Sequence, residues 1–321
     1  MQTVKLENLN ISQVTGALFR VDERCPLIKP FGGALAAADP SLLTPDLTPD
    51  GSWRLFCHTQ FGVYQFSSPD GIKFEKTQKV TSRAMRPDIN FIDGRYYLFY
   101  ERTRPLAANA MTLANLAKWR SEIAVRTSAD LVNWSKCETV IAHSQAIEKN
   151  NRGVSISNPF LLRENGINRL YYSCGLTFIE DCGFCEPTYI TYAESENITS
   201  GYVKAQKPVL SPDKNSEYFN LCCGCLKVYR LNDGYIGIQN GICKKDGRSR
   251  SAILLLVSDD AKNFRFEKVL LEPGKAKWMN QYVYASHLVV CGNELRLYFN
   301  ARDTADMLKG RECIGMAAAQ I

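Results

Sequence analysis

The sequence predicts an all-β chain, one five-bladed β-propeller of four-stranded antiparallel blades around a central pore, with residues 1–321 as a single domain. Three observations predict it. A unit of strand, tight turn and strand recurs five times. A second turn motif recurs between those units. The 3.6-residue spacing of amphipathic helices is nearly absent. Four-stranded sheets too small to bury both faces alone can stack radially and share a core. A β-sandwich does not repeat a four-strand unit in this way.

The five units follow one another along the chain. Asp39-Pro40-Ser41-Leu42-Leu43 leads through a longer turn at Asp50-Gly51 to Trp53-Arg54-Leu55-Phe56. Asp88-Ile89-Asn90-Phe91-Ile92 turns at Asp93-Gly94 into Tyr96 to Tyr100. Asn158-Pro159-Phe160-Leu161-Leu162 turns at Asn165-Gly166 into Leu170-Tyr171-Tyr172. Leu226 to Leu231 turns at Asp233-Gly234 into Tyr235 to Ile238, and His287 to Val290 turns at Gly292-Asn293 into Leu295 to Phe299. Asp-Gly and its relatives accept the positive φ angles of two-residue hairpin turns, so each unit reads as a β-hairpin. One helix is expected, Ala107 to Arg120, with Met111, Leu113, Leu116 and Trp119 on overlapping turns.

The interleaved motif is Ser, Asp two residues on, and an aromatic four further. It occurs at Ser68-Asp70-Phe74, Ser128-Asp130-Trp134 and Ser258-Asp260-Phe264, with a looser version at Ala193 to Gly201. Each copy lies between apolar strands and marks the turn from the third strand of a blade to the fourth.

Composition narrows the function. Hydrophobic content of 45% and charged content of 22% are ordinary for a globular protein. The net charge of +6 is spread out, with no run of Lys and Arg longer than two, so nucleic acid is not an expected partner. No apolar run reaches the roughly eighteen residues of a membrane span, so no membrane partner is expected. Met1 to Asn10 lacks the apolar core of a signal peptide, so the expected location is cytoplasmic.

Blade geometry predicts where the site lies. The first strand is innermost and the second antiparallel to it, so the start of one and the end of the other meet at one rim of the pore. The starts carry Asp39, Asp88, Asn158, Gly224 and Ser286-His287. The ends carry His58, Glu101-Arg102, Cys174, Asn240, and Asn300 with Arg302-Asp303. Carboxylates, amides and two of the three histidines therefore converge on one concave polar site.

These residues resemble the five-bladed propeller glycosidases, above all glycoside hydrolase family 43, with families 32, 62 and 130 related. Ala38-Asp39-Pro40-Ser41 is similar to that family's first-blade A-D-P-S motif, which implies that Asp39 is the general base. Arg86-Pro87-Asp88 with Asp93-Gly94-Arg95-Tyr96-Tyr97-Leu98 resembles its second-blade A-P-D and N-G-K-Y-Y-L. Ser128 to Trp134 is similar to S-x-D-L-x-N-W, and Ser157-Asn158-Pro159 stands where the family has I-D-P. The sequence departs from the family at the third-blade Asp, here Asn158, and at the fourth-blade E-G-P that carries the acid, here Cys222-Cys223-Gly224-Cys225.

The resemblance implies an inverting glycoside hydrolase acting on an arabinoside, xyloside or similar glycan, with no cofactor required. That route needs a second carboxyl to protonate the leaving oxygen. Glu217, Glu186 and Glu101 are the candidates, with Asp88 beside Glu101 as a pKa-raising neighbour. His58, Arg86, Asn158, Asn240, His287, Asn300 and Arg302 are the expected substrate-binding residues. Two alternatives stay open: a propeller that binds sugar without cleaving it, and a phosphorylase like family 130, holding phosphate through Arg86, Arg102, Arg104 and Arg302. Cys182-x-x-Cys185 with Cys222-Cys223-x-Cys225 admits either a zinc site or packed or locally bridged cysteines. A pore-centre ion is left open.

Overall fold

The computed structural model describes residues 5–321, so Met1 to Val4 of the expected domain lie outside the described residues. Five antiparallel sheets follow in chain order. Blade 1 is Ala38–Leu43, Trp53–Thr59, Gly62–Ser68 and Glu75–Thr81. Blade 2 is Ala84–Ile92, Arg95–Thr103, Trp119–Ser128 and Glu138–Ile141, extended by two short strands at 149–150 and 153–154. Blade 3 is Ile156–Glu164, Ile167–Cys174, Tyr189–Ser195 and Val203–Lys204. Blade 4 is Leu226–Leu231, Gly234–Lys245, Arg248–Ser258 and Arg265–Leu271. Blade 5 is Tyr282–Cys291, Glu294–Arg302 and Glu312–Gln320, and its fourth strand is Arg20–Val21 from the other end of the chain.

The core lies between blades. Leu43 and Phe56 meet Ile89 and Leu98 across blades 1 and 2. Phe99 and Val125 meet Leu161 and Leu170 across blades 2 and 3. Trp53 and Leu55 meet Tyr298 and Met316 across blades 5 and 1. Each such side chain, fully buried, contributes about 1.5–3 kcal/mol relative to exposure.

Hydrogen bonds lock neighbouring first strands together. Ser41 Oγ accepts from the Ile89 N–H at 3.0 Å, Asp88 Oδ2 from Leu161 at 3.0 Å, and Tyr229 Oη from Leu288 at 3.0 Å.

The Ser-x-Asp motif is the turn expected. In each copy the Ser hydroxyl donates to the Asp carboxylate, at 2.9, 3.0 and 3.1 Å. The same carboxylate accepts the N–H groups two and three residues on. The following residue is left-handed in all three: Gly71, Leu131 and Ala261. In the looser copy Asn197 replaces the Asp and accepts from the Thr199 N–H at 2.9 Å.

The expected helix is shorter, Leu106–Leu113. Asn115 takes φ 56°, which ends helical geometry, and Trp119 and Arg120 open a strand instead. No described helix is long and apolar enough to cross a membrane.

Candidate active site

The first strands of blades 1, 2, 3 and 5 each carry an irregularity near the start. Two residues drop out of register between Ala38 and Ser41, Met85 and Asp88, Ser157 and Phe160, and Val283 and Ser286. Bulges re-aim side chains and tolerate a proline that cannot donate to the ladder. The first displaced residues are Asp39, Arg86, Asn158 and Tyr284, and the first three are left-handed at φ 54°, 51° and 48°. In blade 4 the matching left-handed residue is Gly224, where an added Cβ would fall 2.2 Å from the Asn240 carbonyl oxygen. The fourth blade therefore has no room for a side chain at this position.

These residues open into a cavity of about 250 Å³. Asp39 and His58 come from blade 1, Arg86 from blade 2, Asn240 from blade 4, and Tyr284, Asn300, Arg302 and Glu312 from blade 5. Blade 3 supplies Asn158 and also Glu186, which ends a small hairpin, Thr177–Ile179 with Phe184–Glu186, inserted between its second and third strands. Trp119 and Phe184 meet edge to face at 6.2 Å and close one side.

Burial dominates the electrostatics. Glu186 is pushed up to about 7, first by desolvation, with Glu312 and Asp39 adding repulsion against the pull of Arg86. Glu312 is likewise raised to about 7 by desolvation, with Arg302 opposing and Asp39 adding. Asp39 is raised by desolvation, against the fields of Arg86 and Lys227. A carboxyl near 7 is protonated for much of the neutral range and can donate its proton.

His58 is lowered to about 3 by burial and by Arg86, so it is neutral. Its Nδ1 accepts the Arg86 N–H at 3.2 Å, which leaves the proton on Nε2. The 3.4 Å approach of Nδ1 to Asp39 is therefore not an ion pair. Asn300 joins two of the acids: its Oδ1 accepts the Asp39 N–H at 3.1 Å and its Nδ2 donates to Glu312.

Several expected residues lie elsewhere. Asp88 is two positions past Arg86, the first residue back in register inside the strand, where Leu161 N–H and Asn90 Nδ2 occupy its carboxylate. Arg86 takes the pore position instead. Glu217 is exposed and paired with Lys245 on the surface. Glu101 is buried behind the wall, paired with Arg86 and accepting from Trp119 Nε1 at 3.3 Å. His287 is not on the cavity wall; it packs against Phe160 and Tyr229 at 6.4 and 6.2 Å. All twelve cysteines are free thiols, and among the described residues no group of three or more His, Cys, Asp or Glu is arranged to hold a metal ion. The two cysteine motifs thus form neither the zinc set nor a disulfide. Cys222 and Cys223 are buried, and Cys182 donates to Tyr282 Oη at 3.3 Å.

Sequence reasoning missed Glu312, Trp119, Phe184 and Tyr284. Glu312 lies on the third strand of blade 5, beyond the repeating hairpin, and nothing in its surroundings marks it. Arg86 as the pore residue was legible: it precedes a proline, as Asp39 and Asn158 do.

Fold and cavity together define a five-bladed β-propeller with an acid-lined pocket at the pore mouth. Over nearly its whole length the chain is similar to the catalytic domain of a Coprinopsis cinerea GH62 alpha-L-arabinofuranosidase. The TM-score is 0.70 at 16% identity, covering 94% of this chain and 97% of that one. A beta-1,2-mannobiose phosphorylase from Listeria innocua gives 0.64 at 12% identity, covering 94% and 97%. A GH43 endo-arabinanase from Bacillus licheniformis gives 0.57 at 14% identity, covering 90% and 96%. The resemblance read from the motifs is met at the level of the fold. No family model and no curated protein matches the sequence.

Proposed function

We propose that the protein is an inverting glycoside hydrolase, with Asp39 as general base and Glu186 as general acid. The observation that carries this is the convergence of Asp39 and Glu186, from different blades, on one small cavity in which Glu186 is raised to about 7. Asp39 takes a proton from water as its oxygen attacks the anomeric carbon. Glu186 gives its proton to the leaving oxygen. Carboxyls roughly 6.5–9.5 Å apart leave room for that water and invert the centre. The cavity suits one terminal sugar ring, an arabinoside or xyloside among the candidates, and similarity to an arabinofuranosidase and an endo-arabinanase supports that class.

Phosphorolysis is less well supported. Arg86, Arg102 and Arg302 are already engaged with Glu101, Glu122 and Glu312, which leaves them poor holders of a free phosphate. Aryl glycosides assayed with and without phosphate test the assignment, with product stereochemistry followed by NMR. Inverted product without phosphate is expected. Asp39→Asn and Glu186→Gln should each lower kcat by roughly 10²–10⁴. Retained configuration, or full activity in Glu186→Gln, would remove the assignment; saturable sugar binding with no turnover would leave a binding protein.

A further inference from the structure

A second cavity of about 480 Å³ adjoins the first and shares Arg86, Trp119, Phe184 and Pro187 with it. Its volume is within the about 300–1,000 Å³ of small-molecule sites. Its charged lining residues are Arg86, Lys118 and Arg152, and no carboxylate lines it. Arg86 is committed to Glu101, but Lys118 and Arg152 make no ion pair among the described residues. Arg152 is also held in place. Its guanidinium lies 3.9 Å over the Phe178 ring and its Nη1 donates to Asn115 Oδ1 at 3.2 Å. A guanidinium pinned on one face, with its other N–H groups free, is preorganised for a planar or tetrahedral oxyanion.

We propose that this groove binds an anionic glycan, with Arg152 and Lys118 taking a carboxylate or sulfate on the sugar next to the unit in the central cavity. The inference rests on the glycoside-hydrolase reading for the direction of the chain, from central cavity to groove. Trp119 and Phe184, lining both cavities and packed edge to face, form one apolar wall along which a sugar ring can lie. Uronic acid units and sulfate esters present the same oxyanion chemistry. Free phosphate would present it too, but without a ring for the aromatic wall.

Calorimetric titration of the full chain tests it directly. The probes are neutral arabino- and xylo-oligosaccharides, the same lengths carrying one uronic acid, the same lengths carrying one sulfate, and inorganic phosphate alone. Acidic glycans should bind roughly tenfold or more tightly than neutral ones, since a charge-assisted hydrogen bond adds that much. The preference should shrink with salt. Which acidic set binds better identifies the anion. In Arg152→Met/Lys118→Met, both solvent-accessible positions, the acidic-to-neutral ratio should collapse towards one while the melting temperature holds.

Equal binding of neutral and acidic glycans overturns the inference, as does a preference that survives in the double variant. Tight binding of phosphate alone, matching that of the glycans, overturns it as well. Titration reads no turnover. A protein that prefers acidic glycans in titration and cleaves none would sink the hydrolase and keep the groove, and one that cleaves glycosides but binds neutral and acidic chains equally would do the reverse.

Discussion

Asp39, Arg86 and Asn158 hold left-handed backbone conformations that cost an L-residue of order 1–3 kcal/mol, and they cluster at the cavity. The bulge re-aims these side chains into the pore at the expense of stability. A further residue acts on Asp39 from below. Lys227 is buried, makes no ion pair among the described residues, sits 5.5 Å over the Phe160 ring, and its field favours ionised Asp39. Lys227→Met removes that field while keeping the stem. The acidic limb of the kcat/KM profile should then move to higher pH, because Asp39 holds its proton longer. A limb that stays in place would show that the Lys227 charge does not reach Asp39.

At the scale of elements, hairpins and turns were legible and the bulges only partly. Asp93-Gly94 and Asn165-Gly166 marked two-residue turns in which both residues take positive φ, whereas in blade 4 Leu231 pairs with Gly234 and the turn is Asn232-Asp233, one residue earlier than expected. The phase of the first strands is harder to read, since a displaced pair shifts which residue faces the pore. Aligning Asp88 with Asp39 ignored that shift, although proline at 40, 87 and 159 marks the common position. Glu186 was one of three candidate acids, and no local pattern could choose it. Its place depends on a short inserted hairpin whose packing is tertiary.

The blade-to-blade turn contacts can be tested. Tyr298 Oη donates to the Gly71 carbonyl at 2.8 Å, just as Tyr171 Oη donates to Ala261. A Cβ on Gly71 would stand 2.8 Å from Tyr298 Oη, at φ 74°. Tyr298→Phe should cost about 1–2 kcal/mol through the unpaired carbonyl. Gly71→Ala should cost about 1–3 kcal/mol through strain and displacement. Urea unfolding measures both, and a Gly71→Ala protein as stable as the parent would contradict the contact.

The whole molecule's stability should depend on pH through the same acids. Glu186 and Glu312 ionise at about 7 in the fold against an ordinary 4.5. Between those values the native state binds more protons than the unfolded chain, so stability falls as pH rises. It is fully present below about 4.5 and lost through about 7. Turn carboxylates act in a separate window. Asp70, drawn to about 2 by the N–H groups of Lys73 and Ile72, gives up its contribution only as pH falls below the usual carboxylate range. Melting temperature should therefore peak in mild acid and decline towards neutrality, more gently in Glu312→Gln. An equally steep decline in that variant would mean that Glu312 is not among the groups responsible.

The fourth strand of blade 5 pairs Arg20 with Ala318 and Val21 with Ala317, joining segments from near opposite ends of the sequence. In kinetic terms this is the slowest kind of contact to make. Blades 1 to 4 are built from neighbouring stretches and can form as the polypeptide leaves the ribosome, whereas this pairing must await residue 318. Entropy adds little to the delay, because each doubling of a loop costs only about 0.6 kcal/mol. Order of appearance matters more. Asn300, whose Oδ1 accepts the Asp39 N–H, and Glu312, whose charge opposes ionisation of Glu186, belong to the sheet that closes last. The nascent chain therefore carries Asp39 long before blade 5 completes its surroundings, and under the proposed mechanism turnover should appear only with ring closure.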